Sequence, residues 1–103
     1  MAQVVYSRNA ASNVERLHRF LAEKNPDAAR RAMRTIRDKL RALEQFPRLG
    51  PADPDRPGTR QFFMPSGAAG YVARYEVRED TVIGLAIRHM REAGYGDDVP
   101  RRR

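Results

Sequence analysis

Tyr71-Val72-Ala73-Arg74-Tyr75-Glu76-Val77, followed by Thr81-Val82-Ile83-Gly84-Leu85-Ala86-Ile87, reads as two β-strands joined by a short hairpin turn at Glu79-Asp80. The first strand alternates Tyr71, Ala73, Tyr75 and Val77 against Val72, Arg74 and Glu76, the pattern of a strand with two different faces. The second is more evenly apolar, which suits a central position in a sheet. It runs into Arg88-His89-Met90-Arg91-Glu92-Ala93-Gly94-Tyr95. Arg, His and Tyr at the end of an apolar strand are the residue types that hold phosphates, acidic chains or a partner's carboxylates.

Working outward, Arg60 to Met64 reads as a further strand, and Pro65-Ser66-Gly67-Ala68 as the turn after it. Phe46 to Thr59 holds Pro47, Gly50, Pro51, Pro54, Pro57 and Gly58, a loop with little regular structure. A loop of that length in a small domain is usually functional or mobile. Gln3 to Tyr6 is a short β-branched and aromatic strand, and Ser7 or Asn9 caps a helix that runs to about Lys24. The inward stripe of that helix is Ala10, Val14, Leu17 and Leu21, widened by Phe20. Asn25-Pro26-Asp27 restarts the chain with an N-cap, a proline for the first helical position and an acid for the positive end of the dipole. The second helix is expected from Pro26 to about Gln45, with an inner stripe of Ala29, Met33, Ile36, Leu40 and Leu43. Arg30, Arg34, Arg37 and Arg41 line its opposite flank.

The element order β-α-α-β-β-β predicts an α+β fold: an N-terminal helical hairpin packed on one face of a mostly antiparallel four-stranded sheet. One domain is expected over residues 1–95, with a basic, flexible tail over residues 96–103. A hydrophobic fraction of 41% and a charged fraction of 32% fit a soluble globular chain. Val82 to Ile87, the longest apolar run, is too short to span a bilayer, and the N-terminus has no signal-peptide pattern, so a cytoplasmic protein without membrane contact is expected. The lack of Cys excludes disulfides, thiol catalysis and Cys-based zinc sites. Only His18 and His89 remain as imidazoles, so neither a metal nor another cofactor is expected, and His18 reads as a surface residue.

The net charge of +7 implies an acidic partner. Lys24 and Lys39 are the only lysines among 20 cations, and Arg is the better residue for bidentate contact with carboxylate or phosphate. The sharpest candidate cluster is Arg60, Arg74, His89, Arg91 and Tyr95. In a three-stranded meander the start of one strand and the end of another are expected to meet at one sheet edge. Such a cluster has the parts for RNA cleavage: a base for the 2′-hydroxyl, a cation for the phosphate and an acid for the leaving group. It is equally able to bind a protein carboxylate and catalyse nothing, and binding is the reading preferred here. The Arg30/Arg34/Arg37/Arg41 row is either a solvated helix face or a docking strip for an acidic helix.

From about Val4 to Tyr95 the chain strongly resembles the RelE/ParE superfamily, the toxins of bacterial type II toxin–antitoxin pairs associated with plasmid stabilisation. The likeness rests on the order of Leu43-Glu44-Gln45-Phe46-Pro47-Arg48-Leu49-Gly50, Gly58-Thr59-Arg60, the strand from Tyr71 to Val77, and Ile87-Arg88-His89-Met90-Arg91. The ParE-like branch looks closest, through its long helices and Phe-Pro-x-Leu-Gly junction. That branch implies a protein-binding toxin that inhibits DNA gyrase and is not an enzyme. The RelE-like alternative is a ribosome-dependent mRNA endonuclease, for which Arg60, His89, Arg91 and Tyr95 would be catalytic. Against it, the basic residues such enzymes carry before the second strand are replaced by Pro51-Ala52-Asp53-Pro54-Asp55-Arg56-Pro57, whose aspartates would repel an RNA backbone. The resemblance further implies a ParD-like antitoxin that wraps an acidic C-terminal segment around the toxin, forms a hetero-oligomer with it and brings it to operator DNA only indirectly. Target contact is placed on Arg60, Arg74, His89 and Arg91. Antitoxin contact is placed on Leu17, Leu21, Arg30, Arg34, Arg37, Arg41 and Tyr75.

Overall fold

A computed structural model describes residues 1–67 and 69–92. The elements are β1 (Gln3–Tyr6), α1 (Arg8–Lys24), α2 (Pro26–Leu40), α3 (Ala42–Gln45), β2 (Arg60–Ser66), β3 (Ala69–Arg78) and β4 (Thr81–His89). Ser7 caps α1 by accepting from the Ala10 N–H at 3.0 Å. Asn25 serves both helices. Its N–H donates to the Leu21 carbonyl and closes α1, while its side chain accepts from the Asp27 and Ala28 N–H groups and opens α2.

The expected single helix from Pro26 to Gln45 is instead interrupted at Arg41. There the ladder tightens, with the Glu44 N–H donating to the Arg41 carbonyl at 3.0 Å, the i+3 spacing of a 3₁₀ turn. The offset turns fully buried Leu43 into the core and lets the Glu44 carbonyl accept from the Ala2 N–H beside β1. β2 also runs two residues further than expected, through Pro65 and Ser66, which the missing donor of proline permits on an edge strand.

The sheet order is β1-β4-β3-β2. β2, β3 and β4 pair antiparallel, and β1 joins β4 in parallel, so the sheet is mixed and β4 is central as its even apolarity predicts. β1 covers β4 only as far as Gly84. Beyond it, side chains of α1 take over. Ser7 and Asn9 donate to the Leu85 carbonyl, and Asn13 accepts from the Ile87 N–H at 2.9 Å. Leu85 is the residue left over by a bulge opposite Arg74 and Tyr75.

The core lies between the helical hairpin and one sheet face, with Ile36, Leu40, Leu43, Met64, Tyr71, Tyr75, Val82 and Ile87 all buried. Ala32 joins Ala29 in the buried stripe of α2. Phe20, expected to widen the stripe of α1, is instead 55% exposed and lies 5.1 Å beneath the Lys24 ammonium. It falls on the flank of the helix, where the alkyl stem and charge of a lysine cover it.

Candidate functional site

The register of the meander separates the predicted cluster. Arg60 stands opposite Tyr75, whereas His89 stands opposite Tyr71. Four residue steps of β3 therefore separate them along the strand, about 13 Å, and β3 itself lies between them across the sheet, about 10 Å. The expectation that they meet is wrong for a topological reason. In an antiparallel meander of three strands, the first begins at the end of the sheet opposite to where the third finishes.

Arg74 departs further from its predicted role in target contact. It is 3% exposed, and its Nε donates to Asp53 Oδ2 at 2.8 Å. The same carboxylate accepts from Gln61 Nε2 at 3.2 Å and from the Asp55 N–H at 2.9 Å. Burial pushes the Asp53 carboxyl up, but the Asp55 N–H, Arg74 and Gln61 together hold it below the usual carboxylate value. The loop after α3 is thus folded onto the otherwise open sheet face and tied there by a buried ion pair. Asp53, expected to repel RNA, is paired with Arg74 inside the protein, and of the two aspartates only Asp55 is exposed.

The start of the same loop is wired to Tyr75. Its fully buried hydroxyl donates to the Pro47 carbonyl at 2.8 Å and accepts from the Gly50 N–H at 2.9 Å. Burial pushes this phenol up, against the Gly50 hydrogen bond and the charges of Arg60 and Arg48. Arg60 Nη1 donates to the Gly50 carbonyl at 2.8 Å and to the Arg48 carbonyl at 3.4 Å. Its guanidinium holds loop backbone as well as facing solvent.

At the other end of the sheet, His89 lies edge-on to the Tyr71 ring, with centroids 5.6 Å apart. Its Nδ1 accepts from the Arg91 N–H at 3.1 Å, so the neutral ring carries its proton on Nε2. Glu92 closes this turn, accepting from the His89 N–H and pairing with Arg16 on α1 at 3.0 Å. Arg88 Nη1 donates to the carbonyls of His89, Met90 and Glu92. Between α1 and this turn opens a cavity of about 310 Å³, with Leu17, Phe20, Leu21 and Tyr71 as apolar walls and His89, Arg91 and the Arg16–Glu92 pair at its margin. Such a cavity suits an apolar anchor flanked by a carboxylate. Tyr95 and the basic tail lie outside the described residues.

On the hairpin, Arg30, Arg34, Arg37 and Arg41 are all exposed, as the helix flank predicts, and Arg30 pairs with Asp27. Arg37 adjoins a depression of about 440 Å³ shared with Tyr6, Ala11, Val14, Met33 and Ile36. Burial pushes the Tyr6 phenol up and Arg37 opposes it. Leu21 is half-buried, Leu17 belongs to the core and reaches a partner only as a wall of the cavity beside His89, and Tyr75 is fully buried. Sequence reasoning also passed over Phe46 and Leu49, which are 64% and 53% exposed on either side of Arg48. Apolar residues interrupted by proline in a loop were the available signal. Among the described residues no group of acids and histidines could hold a metal ion, and no helix is long and apolar enough to cross a membrane.

Comparison with known proteins adds three findings. A family model described as the ParE toxin of the type II toxin–antitoxin system parDE matches residues 4–94. Toxin RelE3 of Caulobacter vibrioides is 33% identical over 92 residues, covering 89% of this chain and 98% of its own. A solved structure described as the chromosomal ParDE TA system from P. aeruginosa superposes with a TM-score of 0.72 at 21% identity, covering 87% of this chain and 97% of that one. At that identity the structural likeness establishes the fold.

Proposed function

The chain belongs to the ParE toxin family of type II toxin–antitoxin systems, and from that premise we propose that it inhibits DNA gyrase and is neutralised by a ParD-like antitoxin. The observation that carries this reading is the separation of Arg60 from His89, with Arg74 withdrawn into an ion pair. Cleavage of a phosphodiester needs its base, cation and acid around one phosphate. Cations spread over both ends of a sheet suit contact with a broad protein face instead. In this reading His89 and Arg91 meet the target directly, and Arg60 contributes by holding the loop.

The antitoxin brings an acidic amphipathic segment to the hairpin. Its apolar side enters the depression beside Tyr6, Val14 and Met33, and its carboxylates pair with Arg34, Arg37 and Arg41. The net charge of +7 favours fast association with such a segment. The complex is a hetero-oligomer that reaches operator DNA through the antitoxin alone.

The test is a supercoiling reaction with purified gyrase and the purified chain. Loss of supercoiling, restored by the antitoxin, is the expected result. Intact supercoiling with mRNA cut at ribosomal A sites would replace this reading with ribosome-dependent cleavage. The RelE in the name of the Caulobacter relative, Toxin RelE3, is the reason that second reading is kept as the other arm of the test.

A further inference from the structure

The turn from Phe46 to Gly50 is held almost entirely by its main chain. Tyr75 grips it at the Pro47 carbonyl and the Gly50 N–H. Arg60 reaches the Gly50 and Arg48 carbonyls from the other side. The Leu49 N–H closes the turn on the Phe46 carbonyl at 3.0 Å. Gly50 fits so closely that a Cβ there would stand 2.3 Å from the Gln61 carbonyl oxygen. With the backbone committed inward, the side chains of Phe46, Arg48 and Leu49 point to solvent.

Leaving two large apolar side chains in water is unfavourable, and nothing in the fold uses them. An aromatic and an aliphatic group flanking an arginine, on a turn that loses little freedom when bound, have the composition and rigidity of a binding hot spot. Only a wide, shallow depression separates the side chains, so the partner must supply the recess. That requires a folded protein. A peptide segment would seat instead in the concavities on the hairpin or beside His89. The turn carries positive charge, because exposed Arg48 is joined by the Arg60 guanidinium, which donates to the Arg48 and Gly50 carbonyls.

We infer that Phe46, Arg48 and Leu49 form a second contact of the toxin with its target protein, in addition to that of His89 and Arg91, entering an apolar recess rimmed by carboxylates, and lie outside the antitoxin-binding face. This rests on the reading above that the toxin acts by binding a protein. The experiment compares the wild type, a Phe46→Ser/Leu49→Ser double variant and Arg48→Glu. Each is measured for growth arrest at graded expression, unfolding midpoint, supercoiling inhibition and antitoxin Kd. Both variants should need about tenfold more toxin for half-maximal arrest, with the midpoint and the antitoxin Kd unchanged.

Variants as toxic as the wild type would overturn the inference, as would an antitoxin Kd that weakens in step with toxicity. Arg48→Glu removes no apolar packing, so it decides the matter if the double variant unfolds. A wild type that arrests growth while supercoiling stays intact defeats the gyrase reading alone, and growth arrest of the variants still judges the turn. A wild type with no effect on growth defeats both.

Discussion

At the Tyr75 end of the sheet, Arg74 and Asp53 are buried together, and both oxygens of the carboxylate are used to fasten a loop. At the Tyr71 end, Arg16 and Glu92 make an ion pair of similar length, 3.0 Å, but with side chains 51% and 32% exposed, around a cavity left open to solvent. The two pairs look alike in a list of distances and differ in energy. In water an ion pair contributes little, because screening and side-chain entropy offset the attraction. In the interior the pair itself is near neutral, yet losing one partner strands a charge. One end of the sheet therefore behaves as framework and the other as adaptable surface.

The sharpest way to break this contrast is Asp53→Ala, which leaves the Arg74 guanidinium buried without its carboxylate. It should cost about 3–5 kcal/mol of unfolding free energy in a denaturant titration. Replacing both partners by apolar residues of similar volume should recover most of that loss. A loss below about 1 kcal/mol would mean that the framework end is no different from the surface end. Next, Tyr75→Phe removes the hydroxyl and leaves the Pro47 carbonyl and Gly50 N–H without their partner. About 1–3 kcal/mol should be lost, with loop amides exchanging faster in hydrogen exchange.

Acid provides a gentler probe. Asp53 has a lowered native pKa, so its contribution is complete above the unfolded value of about 4 and disappears as pH falls through the native value. Stability measured from neutral pH into that acid range should decline more steeply for the wild type than for Asp53→Asn. Parallel curves would place the proton uptake elsewhere. The smallest effect belongs to the open end, where Arg16→Ala should change stability by less than about 1 kcal/mol, and by still less in high salt.

Local signals carried most of the fold. The stripe of α1, the Asn25-Pro26 restart and the even apolarity of β4 each report an element that forms where its own residues ask for it. The interruption at Arg41 was invisible, because Arg41, Ala42 and Leu43 are all good helix formers and the offset answers to docking on β1. The site was less legible. Arg74 occupies the outward position of an alternating strand, where a cation normally meets solvent, and only a loop returning from 21 residues upstream buries it. The distance between Arg60 and His89, by contrast, was readable from strand direction alone, since the order of three antiparallel strands already separates those two ends.

The parallel pairing of Gln3–Tyr6 with Thr81–Gly84, reinforced by Asn9 and Asn13, joins the first residues of the chain to nearly the last described ones. During synthesis the N-terminal strand emerges with no neighbour to pair with, and the hairpin has no sheet to cover. The helices can form early from local contacts, but their register on the sheet is fixed only once β4 has left the ribosome. Closing so long a loop raises contact order and slows folding. A nascent chain that ends before Thr81–His89 thus lacks the strand on which both β1 and the Asn9 and Asn13 side chains dock.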